Sequence, residues 1–111
     1  RTAANTVAED SPELDKIDFR MNIFRAFTRG YLETAGAFLT PLEVSLLPYA
    51  AELFPYMQCV RFLWDYVSGD HYWKCQFAEH NLVRAQNQWQ LFLKAREHEA
   101  EMKEFIGECT K

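Results

Sequence analysis

The sequence predicts an all-α protein, a bundle of four or five helices with antiparallel neighbours. Three observations lead there. Apolar side chains recur at three- and four-residue intervals along three segments. Helix-start and helix-stop residues punctuate those segments at Thr40-Pro41-Leu42-Glu43, Gly36 and Ser68-Gly69-Asp70. No run alternates apolar and polar residues as a half-buried strand does, and no internal repeat is present. The 111 residues suffice for one domain, and with 49% hydrophobic and 15% aromatic residues they can bury a core.

Residues 1–17 are small, polar and acidic and contain the breaker Ser11-Pro12, so they read as a polar arm or loop ahead of a single helical unit over 18–111. The first helix is expected over 19–35, with Asp18 as its N-cap. Phe24, Phe27, Thr28, Tyr31 and Ala35 form its apolar face, and Gly36 supplies a left-handed stop. Thr40, Pro41 and Glu43 then spell a capping box with proline at the first helical position. A short helix over 41–47 is expected, a break near Pro48, and a longer helix to 68 that bends or is interrupted near Pro55. Residues 70–78 connect to a last helix over 79–106. Its inner stripe is read as Leu82, Ala85, Trp89, Phe92, Leu93 and Arg96, and its charged end, KAREHEAEMKEF, as mostly solvated with a Glu99–Lys103 pair worth ~0.3 kcal/mol.

Composition excludes several functions. Acids and bases are mixed at a net charge of −4, with no basic stripe for a nucleic acid. No apolar run approaches the ~18 residues of a membrane span, and the first residues lack the apolar centre of an export signal. Cys59, Cys75 and Cys109 show no C-x-x-C spacing and read as free thiols in a reducing cytosol, with Cys59 as a small buried hydrophobe. A glycine-rich phosphate loop, G-x-S-x-G and H-E-x-x-H are all absent, so no catalytic residue is assigned. Asp70, His71, Cys75, Glu79 and His80 are close in sequence, but their spacing matches no zinc pattern and they read as a polar loop. His98 lies among glutamates with nothing to mark it as catalytic.

One stretch stands out. RFLWDYVSGDHYWK, residues 61–74, has five aromatics among fourteen residues, interleaved with Arg61, Asp65, Asp70 and Lys74. Tyr56, Val60, Leu63 and Val67 share a helix side that reads as core, while Gln58, Arg61 and Asp65 share another. Arg61 and Asp65 are four apart and can form a surface ion pair worth about 0–1 kcal/mol. Alternatively, Arg61 and Tyr72 converge where the helix end turns over, and a guanidinium and a phenol there could bind and stack on a sugar or similar polyol.

The segments AFTRGYL (26–32), LTPLE (39–43), RFLWDY (61–66), GDHY (69–72) and HNLVRAQNQ (80–88) together resemble the C-terminal end of phosphotransferases with the aminoglycoside and choline kinase fold. The likeness spans Arg1 to about Ile106, and the branch it most resembles is N-acetylhexosamine 1-kinase. It implies a helical cap subdomain of a kinase-like C-terminal lobe. It further implies that Arg61 and Tyr72 bind the hexosamine, that Asp65 and Asp70 position them, and that Arg84 and Gln88 are structural. The catalytic-loop aspartate, the D-[FY]-G-D metal ligand and the nucleotide lobe would lie upstream of Arg1, so ATP and Mg would belong to a longer parent protein and this chain would be inactive alone. Relatives in that branch sometimes carry a mucin-desulfating label. Neither Cys59-VRFL nor Cys75-QFAE fits the C-x-P-x-R sulfatase nucleophile motif. Helices that cover an absent core should leave apolar surface open, so a homodimer or a swapped arrangement is expected. The competing expectation is a free-standing helical interaction module whose aromatic groove takes a partner helix.

Overall fold

A computed structural model describes residues 1–110 and is all-α. After a 3-10 turn at Leu14–Lys16 come α1 (Met21–Ala35), α2 (Pro41–Ser45), α3 (Leu47–Ser68), α4 (His80–Glu97) and α5 (Glu99–Cys109). No helix of the described residues is long and apolar enough to cross a membrane. The molecule is a slab measuring 50 × 27 × 18 Å.

α3 and α4 form an antiparallel hairpin. Asp65 meets Asn81 near the turn and Tyr56 meets Phe92 further along, so partners descend on one helix as they climb on the other. α1, α5 and residues 4–19 close over one side of this hairpin. The core gathers Ile17, Phe19, Phe24, Leu91, Met102 and Ile106. Burying each of these side chains is worth about 1.5–3 kcal/mol.

Several helix boundaries follow from local chemistry. The capping box at Thr40 is formed in both directions: Glu43 N–H donates to Thr40 Oγ1 at 3.1 Å, and Thr40 N–H donates to Glu43 Oε1 at 3.2 Å. The break falls at Leu46, leaving Pro48 in the first turn of α3, where a missing N–H costs nothing. At the far end Gly69 takes φ 105° and Asp70 φ 61°. Asp70 N–H reaches back to Asp65 O at 2.8 Å and Gly69 N–H to Tyr66 O at 3.3 Å, the paired bonds of a Schellman stop.

Other expectations need correction. Pro55 does not interrupt α3, which runs through it for 22 residues. α1 begins at Met21, and Asp18 does not cap it. Asp18 instead lies in an extended segment beside an isolated Asn5–Phe19 bridge, with its Oδ1 accepting from Phe19 N–H. Gly36 ends α1 with a right-handed φ of −57°. What requires glycine there is space, since a Cβ would lie 2.5 Å from Leu32 O. The last helix is two helices, broken at His98 (φ −96°, ψ 7°). Its end is only partly solvated, because Met102, Phe105 and Ile106 are buried. Residues 1–17 are a loop, yet Ala4, Asn5 and Ile17 are buried and tie it into the core.

The largest corrections concern which faces point inward. Tyr56, Val60, Leu63 and Val67 are exposed, and α3 instead buries Pro48, Glu52, Pro55, Phe62 and Asp65. On α4, Trp89, Leu93 and Arg96 are exposed, while Asn81, Ala85, Asn87, Gln88 and Leu91 are buried. On α1, Phe24, Thr28 and Ala35 are buried as expected, but Phe27 and Tyr31 are exposed.

Two glycines give opposite expectations. Gly30 is inside α1 with nothing within 4 Å of an added Cβ. Gly30→Ala should therefore raise unfolding stability in urea by about 0.5–1 kcal/mol. Gly69→Ala must hold a left-handed backbone and should lower it by about 1–2 kcal/mol.

Candidate functional site: an aromatic and guanidinium patch over a buried carboxylate

The site is built on Asp65, whose exposure is 0%. The Schellman stop reverses the chain directly above it. One carboxylate oxygen, Oδ1, accepts from the N–H groups of His71 and Tyr72, both at 2.9 Å. The other, Oδ2, accepts from Trp73 N–H at 3.0 Å and from Asn81 Nδ2 at 2.8 Å. Burial alone would push this carboxyl up; the N–H groups of Trp73, Tyr72 and His71 and the Asn81 amide outweigh it and hold the group below its ordinary range.

Asn81 extends the network. Its Nδ2 also donates to Asp70 Oδ1 at 3.1 Å, and its Oδ1 accepts from Arg84 Nη1 at 2.9 Å. Arg84 Nη2 donates to Lys74 O at 3.2 Å, so the start and the middle of the 70–78 loop are tied to α4. Asp65 and Asp70 are therefore brought together through Asn81, which sequence reasoning did not single out.

With its backbone held inward, the loop turns its rings outward. Trp73 packs on the buried Phe62 ring at 4.6 Å between centroids, and Tyr72 meets Trp73 edge-on at 4.6 Å. The Arg61 guanidinium lies 5.0 Å from the Trp73 centroid and 5.8 Å from that of Tyr72, and it donates to Gln58 Oε1 at 3.1 Å. Arg61 and Tyr72 thus converge as the sequence anticipates, and Trp73 joins them. No Arg61–Asp65 ion pair forms, because both carboxylate oxygens are already engaged by the loop and Asn81. Among the described residues the patch is open, with Tyr72 69% exposed. Two grooves among the described residues lie elsewhere. One, of about 480 Å3, is lined by apolar side chains of α1 and the start of α3, including Phe27, Tyr31 and Phe54. The other lies between α1, α2 and α5.

Away from the patch, several buried polar side chains tie the N-terminal segment to α4. His80 Nδ1 accepts from Gln76 N–H at 3.2 Å, which leaves Nε2–H to donate to Asp10 Oδ2 at 3.0 Å. That bond draws the Asp10 carboxyl down. Asn87 Nδ2 donates to Ala8 O and Ser11 O, and its Oδ1 accepts from Asn5 and Gln88. Gln88 in turn accepts from Arg1 Nη1 at 3.0 Å. Among the described residues, no three His, Cys, Asp or Glu side chains converge to hold a metal ion. The three cysteines are free, and Cys59 is half-buried, which pushes its thiol up.

Glu52 is the exception. It is 6% exposed, and its Oε1 has no hydrogen-bond partner. Burial, with the Glu99 carboxylate second, pushes it up against the opposing pull of Arg96. The sequence matches no protein-family model.

These two carboxylates have opposite pH signatures. Asp65 titrates lower in the folded chain, so its contribution is complete above the unfolded value of ~3.9 and is lost as pH falls through the folded value. Asp65→Asn should lower Tm at pH 7 by on the order of 10 °C and flatten the acid side of the Tm–pH curve. Glu52 titrates higher in the folded chain, so its ionised form opposes folding at neutral pH and protonation relieves it. Glu52→Gln should raise Tm at pH 7, with the gap over the parent closing as pH approaches ~4.3.

Proposed function

We propose that the Arg61–Tyr72–Trp73 patch is the sugar-contacting wall of an ATP-dependent phosphotransferase of the aminoglycoside and choline kinase type, acting on an N-acetylhexosamine in a reducing cytosol. One observation carries the reading: the Asp65 carboxylate gathers the backbone of 71–73 and seats two aromatic rings beside the exposed Arg61 guanidinium. The exposed Tyr72 ring offers a surface on which the apolar face of a pyranose can stack, and a planar guanidinium supplies forked donors to its hydroxyls. Asp65 and Asp70 act as positioning residues, Asp65 through the loop backbone and Asp70 through Asn81. Orientation of a bound hydroxyl is what such a wall contributes to phosphoryl transfer.

The described residues do not fit ATP or Mg. They contain no convergent metal ligands and no glycine-rich loop, so no transfer step is assigned to them. In this reading the nucleotide and metal are held by residues upstream of Arg1, and the 111-residue chain has no kinase activity. A second reading, a helical interaction module, has the apolar groove between α1 and α3 in its favour. The coding sequence upstream of Arg1 separates the two: an open frame carrying D-[FY]-G-D supports the phosphotransferase, and a closed frame supports the module.

Titration of the isotopically labelled chain with N-acetylglucosamine or N-acetylgalactosamine tests the patch directly. Saturable shifts are expected at the amides of residues 71–73 and the Trp73 indole, with a dissociation constant on the order of millimolar. Arg61→Ala and Tyr72→Ala should each weaken binding about tenfold, whereas Phe27→Ala in the groove lined by α1 should not. Absence of saturable shifts at sugar concentrations of about 50 mM overturns the sugar assignment. Turnover of ATP by the chain alone overturns the division of labour.

A further inference from the structure

We propose that the outer face of the α3–α4 hairpin is an interface between two copies of this chain. This inference stands apart from the sugar-binding reading, because it uses a different side of α3.

α3 carries two stripes with the same 4-3-4-3-4 spacing, the first apolar except for Glu52 and the second apolar throughout. One, at Pro48, Glu52, Pro55, Cys59, Phe62 and Tyr66, is buried or half-buried inside the molecule. The other runs Tyr49, Leu53, Tyr56, Val60, Leu63 and Val67. With about 100° of turn per residue, this second stripe lies roughly a quarter-turn or more round the helix from the first. All of it but the half-buried Leu53 is exposed, Val67 to 77%. Its 4-3 spacing is that of helices packed along a shallow crossing, with branched Val60 and Val67 at one set of positions and Leu63 at the other.

α4 widens the stripe into a face. Tyr56 packs on Phe92 at 5.4 Å and on Trp89 at 6.4 Å, and Trp89 packs on Phe92 at 5.3 Å. Trp89 and Leu93 are nevertheless exposed, as are Met57 and Trp64 beside the α3 stripe. From their fractional exposures, the exposed apolar side chains of this face present on the order of 900 Å2. A stable interface needs about 800 Å2 per partner, so one face meets the requirement.

Charge and symmetry select the occupant. The chain carries a net charge of −4, which disfavours self-association in general. On this face, however, none of the α3 positions Tyr49, Leu53, Tyr56, Met57, Val60, Leu63, Trp64 and Val67 is charged. On α4 the face carries Arg96, whose guanidinium lies 5.7 Å from the Phe92 ring centroid; the α3 part brings no like-sign repulsion across a two-fold axis, and an isologous pair matches it to itself. Two hairpins packed this way make a four-helix layer pair, with the Tyr56–Trp89–Phe92 cluster near its centre, where aromatic anchors carry most of the energy. The 18 Å thin dimension of the slab fits a hairpin covered on one side only.

Sedimentation equilibrium of the full chain over about 1–100 µM provides the test. A dimer with a dissociation constant in the micromolar range is expected. Val60→Glu combined with Leu63→Glu should leave a monomer throughout that range with unchanged helical circular dichroism. Should that pair lose helicity, Val67→Glu alone, at the most exposed position, is expected to weaken association at least about tenfold. Phe27→Glu in the α1 groove should leave association unchanged. A wild-type chain that stays monomeric, whether or not it binds phosphatidylcholine vesicles, overturns the proposal. So does a folded face variant that still dimerises, or a Phe27→Glu variant that does not.

Discussion

The constraint on which most of this structure depends is the need to satisfy one buried carboxylate. Asp65 lies at the end of α3 with no contact to water. Leaving a charge there unpaired would cost several kcal/mol, so its neighbours must supply donors. They are supplied by folding the chain back at once: Gly69 and Asp70 take left-handed backbones, and the next three N–H groups of the loop fall onto the two oxygens. The fourth donor, Asn81, comes from α4 and fixes where that helix passes. A single acid therefore sets the loop, the hairpin and the direction in which Tyr72 and Trp73 point.

The same logic explains why the inner side of α4 is polar. Asn81, Asn87 and Gln88 are fully buried, which in isolation disfavours folding. Each is matched. Asn87 bridges the carbonyls of Ala8 and Ser11, Gln88 meets Arg1, and Asn81 meets two aspartates and Arg84. These amides let a loop with few apolar residues lie against a helix without stranding its backbone. Glu52 shows the contrast. One of its oxygens is unmatched, and its carboxyl is pushed up accordingly. The region around Asp65 is a closed polar network; that around Glu52 is not.

What could be read from the sequence follows the range of the interaction involved. The capping box at Thr40, the break before Pro48 and the stop at Gly69 depend on residues within four positions of each other, and all are present. The convergence of Arg61 and Tyr72, eleven residues apart, was one of two readings the sequence left open, with a helix stop between them as its only local signal. The inward faces were not legible. α3 has more apolar positions than one face can bury, and periodicity alone cannot rank its two stripes. The choice is made by Asp65 and the prolines, which go inside, and it leaves Val60 and Val67 in solvent. On α4 the apolar stripe was chosen over the amides because the loop that those amides serve lies some 80 residues away in sequence. The break at His98 has neither glycine nor proline to announce it.

The hairpin is consequently two-sided in a specific sense. On one side the N-terminal loop, α1 and α5 build the core, and the Asp65 network pins the 71–73 loop beside Arg61. On the other, Tyr56, Val60, Leu63 and Val67 join Trp89 and Leu93 in an apolar face left exposed among the described residues. Arg61 lies roughly a third of a turn round α3 from the centre of that face. Two copies could therefore meet through the bare side while each keeps its aromatic and guanidinium patch open. The carboxylate that turns the rings of the loop outward is also, by occupying the inner side of α3, the reason the second stripe faces away from the core.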